Sequence, residues 1–292
     1  MARVAILTDS NSGITQEDAD RRGIYVLPTP FYIDNRLFYE GVDLSNEEFY
    51  ALQERGADIK TSMPIVGDVM DLWNELLKEY DEIIYIPLSS GLSASCQTAA
   101  TLAREEEFEG KVFVVNNQRI SVTMKLSVYE AKLLADQGKT AEEIRQYLEQ
   151  TKFDSSIYIM VNTLEYLKKG GRITPAAAAI GSLLRLKPIL QIQGEKLDAY
   201  AKARTVKQAR EIMLEAIISD AATRFRDPDA ADCVISMAYT QDPTEANVLL
   251  QMAQERFPDH LIKMDPLSLV VACHIGPNAI GITVTKSLIK GI

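Results

Sequence analysis

The chain reads Ile83-Ile84-Tyr85-Ile86-Pro87-Leu88-Ser89-Ser90-Gly91-Leu92-Ser93, an apolar run that leads into a loop of serines and glycine. A short apolar run bounded by turn residues is typical of a strand buried in a parallel sheet. When a loop and a helix follow such a strand, backbone N–H groups and the helix dipole can hold an anion. The hydroxyls of Ser89, Ser90 and Ser93 add donors, and the lysine of a phosphate-binding loop is absent. Because these hydroxyls have no nearby cation in the sequence, the pattern favours a carboxylate over a polyphosphate as the ligand.

A second group of hydroxyls lies one predicted helix earlier, in the stretch Lys60-Thr61-Ser62-Met63-Pro64, which we interpret as a turn. A third polar stretch, Thr8-Asp9-Ser10, comes directly after the first predicted strand. Ligands of parallel sheets bind at the carboxyl ends of the strands. We therefore expect Thr8 to Ser10 and Ser89 to Ser93 to lie on the same edge of one sheet.

The first half of the chain alternates strands with helices, which predicts a parallel sheet with helices on both faces. Ser45 with Glu48 and Thr140 with Glu143 have the spacing of capping boxes, which mark two helix starts. The predicted elements are strands at Val4–Leu7, Ile24–Leu27, Phe31–Ile33, Leu37–Tyr39 (a hairpin with the preceding strand) and Lys111–Val115, and helices that end near Gly56, Tyr80 and Thr151.

The pattern changes near Phe153, and the rest of the chain predicts a second α/β unit with a mixed sheet. The sequence thus predicts two α/β domains, residues 1–152 and residues 153–292, in keeping with the size limit of single cores. The predicted elements of the second are strands at Ile157–Val161, Pro188–Ile192, Leu197–Tyr200, Cys233–Ala238 and Ala279–Thr285, and helices at Leu164–Lys169, Pro175–Leu186, Thr205–Arg224 and Pro243–Phe257.

Charge is unevenly spread along the 292 residues. The net charge of −10 and the pI near 4.9 argue against nucleic acid as a partner. The segment from Lys168 to Arg210 nevertheless carries ten lysines and arginines against two acids, and we call it the basic island. Predicted turns present Arg172 and Arg204 within it. The island is either a solvated face or a docking surface that faces phosphate.

Cysteine usage and hydropathy point to a cytoplasmic protein. Cys96, Cys233 and Cys273 are odd in number and lack metal-ligand spacing, so we expect reduced thiols, no metal and no cofactor. The apolar run Val4–Leu7 is too short for a signal peptide. The longest weakly polar stretch, Pro175 to Leu184, is shorter than the roughly 20 residues that span a bilayer. At most, transient membrane contact is expected.

His274 has two interpretations. It comes after an apolar stretch that we predict as a strand, and it is either a satisfied interior residue or, beside the Gly276-Pro277 turn, a site residue. The stretch Gly91-Leu92-Ser93-Ala94-Ser95 nearly matches the G-x-S-x-G elbow of serine hydrolases, and His274 lies downstream. Ser95 stands where that motif needs glycine. A serine hydrolase acting on acyl esters is therefore the alternative function, and a small-molecule carrier unrelated to lipid is a third.

Taken in order along the chain, these motifs resemble the DegV family of bacterial fatty-acid-binding proteins. The resemblance covers nearly the whole chain and rests on seven stretches: Thr8 to Ser10, Lys60 to Pro64, Pro87 to Ser93, Gly170 to Thr174, Lys187 to Leu190, Lys202 to Thr205 and His274 to Pro277. The chain departs from the family pattern at Asn116 to Met124, which bears on the tunnel wall and acyl preference, and at Asn278; neither departure touches the carboxylate motifs.

The resemblance implies two α/β domains and a long-chain fatty acid, such as palmitate, buried in a tunnel. It implies that Thr61, Ser62 and Ser93 hold the carboxylate, with His274 close by. It further implies a non-catalytic subunit that presents the carboxylate to an ATP-dependent fatty acid kinase and retains the acyl phosphate for phospholipid synthesis. Arg172 and Arg204 are then expected near the head group and in coupling to the kinase.

Overall fold

The computed structural model describes residues 2–40, 42–180 and 186–290, without the side chains of residues 179 and 180. The strands are β1 (Val4–Asp9), β2 (Tyr25–Leu27), β3 (Phe31–Ile33), β4 (Arg36–Phe38), β5 (Ile59–Thr61), β6 (Glu82–Ile86), β7 (Val112–Val114), β8 (Ser155–Met160), β9 (Lys187–Ile192), β10 (Asp198–Ala203), β11 (Cys233–Tyr239), β12 (Lys263–Pro266) and β13 (Ile280–Lys286). The helices are α1 (Gln16–Arg22), α2 (Asn46–Glu54), α3 (Val66–Leu76), α4 (Ser95–Leu102), α5 (Ser121–Asp136), α6 (Ala141–Gln150), α7 (Glu165–Gly170), α8 (Pro175–Ile180), α9 (Val206–Ser219), α10 (Thr244–Arg256) and α11 (Leu269–Ile275).

The first sheet is parallel, with strand order β2-β1-β6-β7. Alternate residues of its central strands face opposite sides, as strand geometry requires. Ile6 and Ile84 pack with α1, α5 and α6 on one face, whereas Leu7 and Ile83 pack with α3 and α4 on the other. The predicted parallel sheet with helices on both faces is confirmed, and both capping boxes form, at α2 and α6.

The second sheet is mixed, with strand order β10-β9-β8-β13-β11-β12, in which only β11 and β12 pair in parallel. One face packs against α9 and α10. The other face packs against Leu88, Leu92 and Val122 from the first half of the chain. The predicted fold class, α/β with one parallel sheet and one mixed sheet, is thereby confirmed. The domain limits at residues 152 and 153 stay a prediction.

A third sheet, with order β4-β3-β5, is antiparallel. The predicted hairpin between β3 and β4 forms, and its two turn residues Asp34 and Asn35 have φ of 49° and 64°, the left-handed values of a tight hairpin. The interpretation of Lys60 and Thr61 as a turn is wrong, because both lie on β5, where Thr61 pairs with Phe31. Three residues are too few to show an alternating pattern.

The strand predicted before His274 is also wrong, since the segment forms helix α11. Val270 and Cys273 pack with the third sheet, whereas Val271 and Ile275 pack with the second. A helix buried on both sides is apolar all round, so its sequence loses the helical period. A short run rich in β-branched residues then looks like a strand.

Two predicted helices need comment. The helix predicted over Pro175–Leu186 is present as α8 over Pro175–Ile180, and residues 181–185, with Arg185 of the basic island, lie outside the described residues. The helix predicted over Thr205–Arg224 is α9 followed by a π-helical turn at Asp220–Arg224. Across the described ranges, no helix has the length and apolar character needed to cross a membrane.

Candidate functional site: a cavity with a polar and an apolar wall

A cavity of about 170 Å³ lies where β5 and α11 meet residues 87–93, which we call the serine loop. Its polar lining residues are Asn11, Thr29, Thr61, Ser62, Ser93, Ser95, Arg172 and His274. Its apolar lining residues are Met63, Leu88, Leu92, Ala94, Ile120, Leu167, Leu197, Val270, Val271 and Ile275. We call the polar residues the polar wall and the apolar residues the apolar wall. A cavity that combines hydrogen-bonding groups with apolar surface has the lining expected for an amphipathic small molecule.

At the carboxyl edge of the first sheet, Asp9 contacts two residues that line the cavity, Asn11 and Leu88. This carboxylate is fully buried; its Oδ1 accepts from the backbone and side-chain N–H groups of Asn11 at 2.9 and 2.8 Å, and its Oδ2 accepts from Leu88 N at 2.9 Å. Burial raises the pKa of Asp9, and these hydrogen bonds oppose that shift. The buried acid thus joins the end of β1 to the start of the serine loop, and the predicted shared edge is confirmed.

Most of the serine loop's polar groups are used within the protein. Ser93 N donates to Ser89 O at 3.0 Å, and Gly91 N donates to Ser89 Oγ at 3.3 Å. Ser90 Oγ accepts from Asn116 at 2.9 Å. The predicted anion cradle of free backbone N–H groups is therefore wrong for this loop, because a tight turn satisfies those groups internally. Of the three serines proposed as donors, only Ser93 lines the cavity.

His274 and Thr61 meet within the polar wall. The Nε2 atom of His274 and the Oγ1 atom of Thr61 are 2.8 Å apart. Burial, together with the positive charge of Arg172, lowers the pKa of His274 to about 4. The imidazole is therefore neutral near pH 7, and one of its nitrogens can accept while the other donates.

Two glycines bring α7 against α11 and hold this imidazole in place. A Cβ atom at Gly170 of α7 would overlap Nδ1 and Cε1 of the His274 ring. A Cβ atom at Gly276, just after α11, would overlap the ring of Tyr166 on α7. Each helix thus accepts a ring from the other at a glycine, an approach that a side chain at either position would prevent.

Arg172 places a cation beside the hydroxyls. Its Nε donates to Leu92 O at 3.2 Å, and its Nη1 donates to Gly170 O. The expectation of hydroxyls without a nearby cation is therefore wrong, because the turn after α7 folds back over the serine loop from the second half of the chain. Arg204 is exposed at the start of α9 and is not among the cavity's lining residues, whereas Thr61, Ser62, Ser93 and His274 all are.

The geometry gives little support to the serine hydrolase alternative. Ser93 Oγ lies 2.6 Å from Ser95 Oγ, while the hydroxyl that meets His274 belongs to Thr61. Close packing explains why glycine stands at position 91, without a nucleophile elbow. A Cβ atom there would overlap the backbone of Glu195 in the β9–β10 turn. Ser93 also lacks the positive φ of a strained elbow.

Sequence reasoning missed several lining residues. Asn11 lies in a short 3-10 helix directly after β1, Thr29 lies in the connection from β2 to β3, and Asn11 Nδ2 donates to Thr29 Oγ1 at 3.3 Å. The signal for Asn11 was its position one residue beyond the polar stretch Thr8-Asp9-Ser10. The apolar contribution of α11 was missed because that segment was predicted as a strand.

Comparison with known proteins places these features in one family. The family model described as "Uncharacterised protein, DegV family" matches residues 3–287. A DegV domain-containing protein of Staphylococcus aureus is 28% identical over 286 residues, which cover 98% of this chain and 100% of the relative. The structure of a fatty-acid-binding DegV family protein from Thermus thermophilus is 30% identical with a TM-score of 0.86, covering 97% and 99% of the two chains. That of DegV, a fatty acid binding protein from Bacillus subtilis, is 26% identical with a TM-score of 0.85, covering 98% and 100%.

The close contact between α7 and α11 yields a first prediction. Gly170→Ala should lower the free energy of unfolding by about 1–3 kcal/mol, because the added methyl group overpacks the His274 ring. It should also shift the imidazole signals of His274 in an NMR spectrum. As a control, Gly67→Ala in α3 adds a methyl group where no atom lies within 4 Å. This control should keep those signals and gain up to about 1 kcal/mol. An unchanged His274 spectrum in Gly170→Ala would contradict the proposed ring support.

Proposed function

The chain belongs to the DegV family, and from that premise we propose that it binds a long-chain fatty acid with the carboxylate at the polar wall of the cavity. The observation that carries the proposal is the pairing of a hydroxyl and imidazole wall with an apolar wall in one cavity. Two relatives of similar fold and at least 26% identity are fatty acid binding proteins by their descriptions. Thr61, Ser62, Ser93 and His274 are the residues that would receive the carboxylate.

The chemistry of the polar wall supports an ionised carboxylate. Such a group needs several donors when it leaves water. With His274 Nε2–H donating to Thr61 Oγ1, the hydroxyls of Thr61, Ser62 and Ser93 can each donate to the carboxylate. Arg172 adds a positive charge beside Ser93. Its guanidinium donates to the backbone carbonyls of Leu92 and Gly170, and within the described part of the chain no acidic side chain forms an ion pair with it. A carboxylate at this wall would thus be hydrogen-bonded and partly neutralised.

The acyl chain would contribute most of the affinity. At about 0.8 kcal/mol per buried methylene, roughly fourteen methylenes have a ceiling near 11 kcal/mol before the costs of ordering. The resulting dissociation constant lies well below micromolar. We propose that the acyl chain starts along the apolar wall, which includes Leu167 and Leu197. That this path continues into a buried tunnel is part of the proposal.

The protein's role, on this proposal, is to present the carboxylate to an ATP-dependent kinase subunit and to carry the acyl phosphate to lipid synthesis. The half-buried Arg172 at the cavity and the exposed Arg204 on the basic island support such a division of labour. Arg172 would act at the head group, whereas Arg204 would act in contact with the kinase, because guanidinium groups suit bidentate contact with carboxylate or phosphate.

A bound ligand is the direct expectation. Protein purified without added lipid should release a fatty acid of about sixteen to eighteen carbons, near one per chain, because dissociation is slow at the affinity estimated above. Native mass spectrometry followed by organic extraction measures this. Protein that is free of fatty acid and takes up neither palmitate nor oleate would rule out the proposed ligand.

The head-group assignment predicts specific losses. Thr61→Ala and Ser93→Ala should each weaken palmitate binding by about 1–3 kcal/mol, because each removes a donor to a buried charged group. Binding of the methyl ester should be weaker in the wild type and less sensitive to both changes. Ser90→Ala is the matched control, since Ser90 Oγ contacts Asn116 and not the cavity. Titration calorimetry of the wild type and the three variants measures these affinities. Equal affinity of the wild type and both cavity variants for palmitate would place the carboxylate elsewhere.

The kinase role predicts a separation of binding from transfer. Arg204→Ala should keep its fatty acid and its melting temperature yet lose acyl-phosphate formation with kinase and ATP, because an exposed charge contributes little to stability. Arg172→Ala should lose transfer and part of its lipid. Hydroxylamine trapping of the acyl phosphate measures transfer, and Arg104→Ala is an exposed control outside the island. Normal transfer by both variants would leave the basic island as a solvated face.

A further inference from the structure

The polar wall of the cavity has a second side. Thr61, Arg172 and His274 also line a groove of about 480 Å³ at the surface, which we call the outer groove. The three residues therefore form a partition one side chain thick between the cavity and the outer groove, closed in part by the 2.8 Å contact of Thr61 with His274. Groups bound on the two sides would be within reach of each other across this partition.

The outer groove carries two lysines that the proposed carboxylate site does not use. Lys60 on β5 and Lys169 on α7 both line it. Their Nζ atoms lie 2.5 and 2.7 Å from the two carboxylate oxygens of Asp58, so one acid holds both cations. The pKa of Asp58 falls to about 2, with the hydrogen bond from Lys169 as the largest cause. With Arg172 and the acid Glu165, also in the lining, the cations still exceed the anions by one.

The exposure of these ion pairs makes Asp58 easy to displace. The side chains of Lys60 and Lys169 are 59% and 56% exposed, and that of Asp58 is 42% exposed. Ion pairs in such surroundings add little to stability, so exchanging the carboxylate for another anion costs little. A phosphate has more oxygens and more charge than a carboxylate and would satisfy both lysines and the guanidinium together.

We propose that the outer groove is the phosphate side of the site, where Lys60, Lys169 and Arg172 hold the phosphate of the acyl phosphate. This rests on the proposed function. In that reaction a carboxylate oxygen attacks the γ-phosphorus of a nucleoside triphosphate supplied by the kinase. A new phosphorus–oxygen bond forms, the bond to the β-phosphate oxygen breaks, and a nucleoside diphosphate leaves without a proton transfer. Thr61 and His274 stand between the carboxylate and the phosphorus, so they separate as this bond forms. The acyl chain stays in the cavity, and the phosphoryl group arrives from the surface.

The test compares two ligands that have the same acyl chain and different head groups. One is palmitate, and the other is a phosphonate analogue of palmitoyl phosphate in which a methylene replaces the bridging oxygen. Lys60→Ala and Lys169→Ala should each weaken phosphonate binding by about threefold or more and change palmitate binding by less than about twofold, as expected for exposed charge contacts. Asp58→Asn should act in the opposite direction and tighten phosphonate binding, because it removes the competing anion.

The matched control is Lys139→Ala, which removes another exposed lysine that pairs with an acid, Glu143, on α6. It should leave the affinity for both ligands unchanged. Equal losses for both ligands in the lysine variants would make the lysines structural and overturn the proposal, as would unchanged phosphonate binding or weaker phosphonate binding in Asp58→Asn. A wild-type protein that binds palmitate but not the phosphonate overturns the groove proposal alone. One that binds neither refutes the proposed function and the groove with it.

Discussion

The hydrogen bond between Thr61 and His274 connects residues 213 positions apart and brings the third sheet against α11. The cavity and the outer groove both depend on it, because this pair closes the partition between them. The geometry of this hydrogen bond is set by the packing of the elements that carry the two residues. Gly170 admits the imidazole ring against α7, and β3 pairs with β5 to place Thr61 opposite it. A small contact of two polar atoms is thus fixed by three separate elements.

Electrostatics at this partition favours a neutral imidazole beside a permanent cation. The low pKa of His274 means that the ring is uncharged from pH 7 down to near pH 4. Because the pKa in the folded protein lies below that of an unfolded histidine, the folded state loses stability as the pH falls from about 6.5 toward 4. The charge that an anionic ligand meets is therefore that of the guanidinium, while the ring contributes orientation through hydrogen bonds.

The sequence predicted the parts of the fold that depend on local pattern. The parallel sheet, the mixed sheet, the β3–β4 hairpin and the two capping boxes are consequences of periodicity and turn residues, and the structure has them. The helix α11 was missed because apolar surroundings on all sides remove the helical period. The backbone cradle at Ser89 to Ser93 was wrong because turn geometry decides where N–H groups point. The contact of Arg172 with the serine loop could not be predicted, because it joins residues far apart in the sequence and leaves no local pattern.

The crystal structure of the protein with palmitate bound is the measurement that tests this account most directly. The account predicts carboxylate oxygens about 3 Å from Thr61 Oγ1 and Ser93 Oγ, with the acyl chain leaving along Leu167 and Leu197. Thr61 and His274 would still separate the head group from Lys60 and Lys169. A carboxylate bound by other residues, or an acyl chain in the outer groove with the cavity empty, would contradict it.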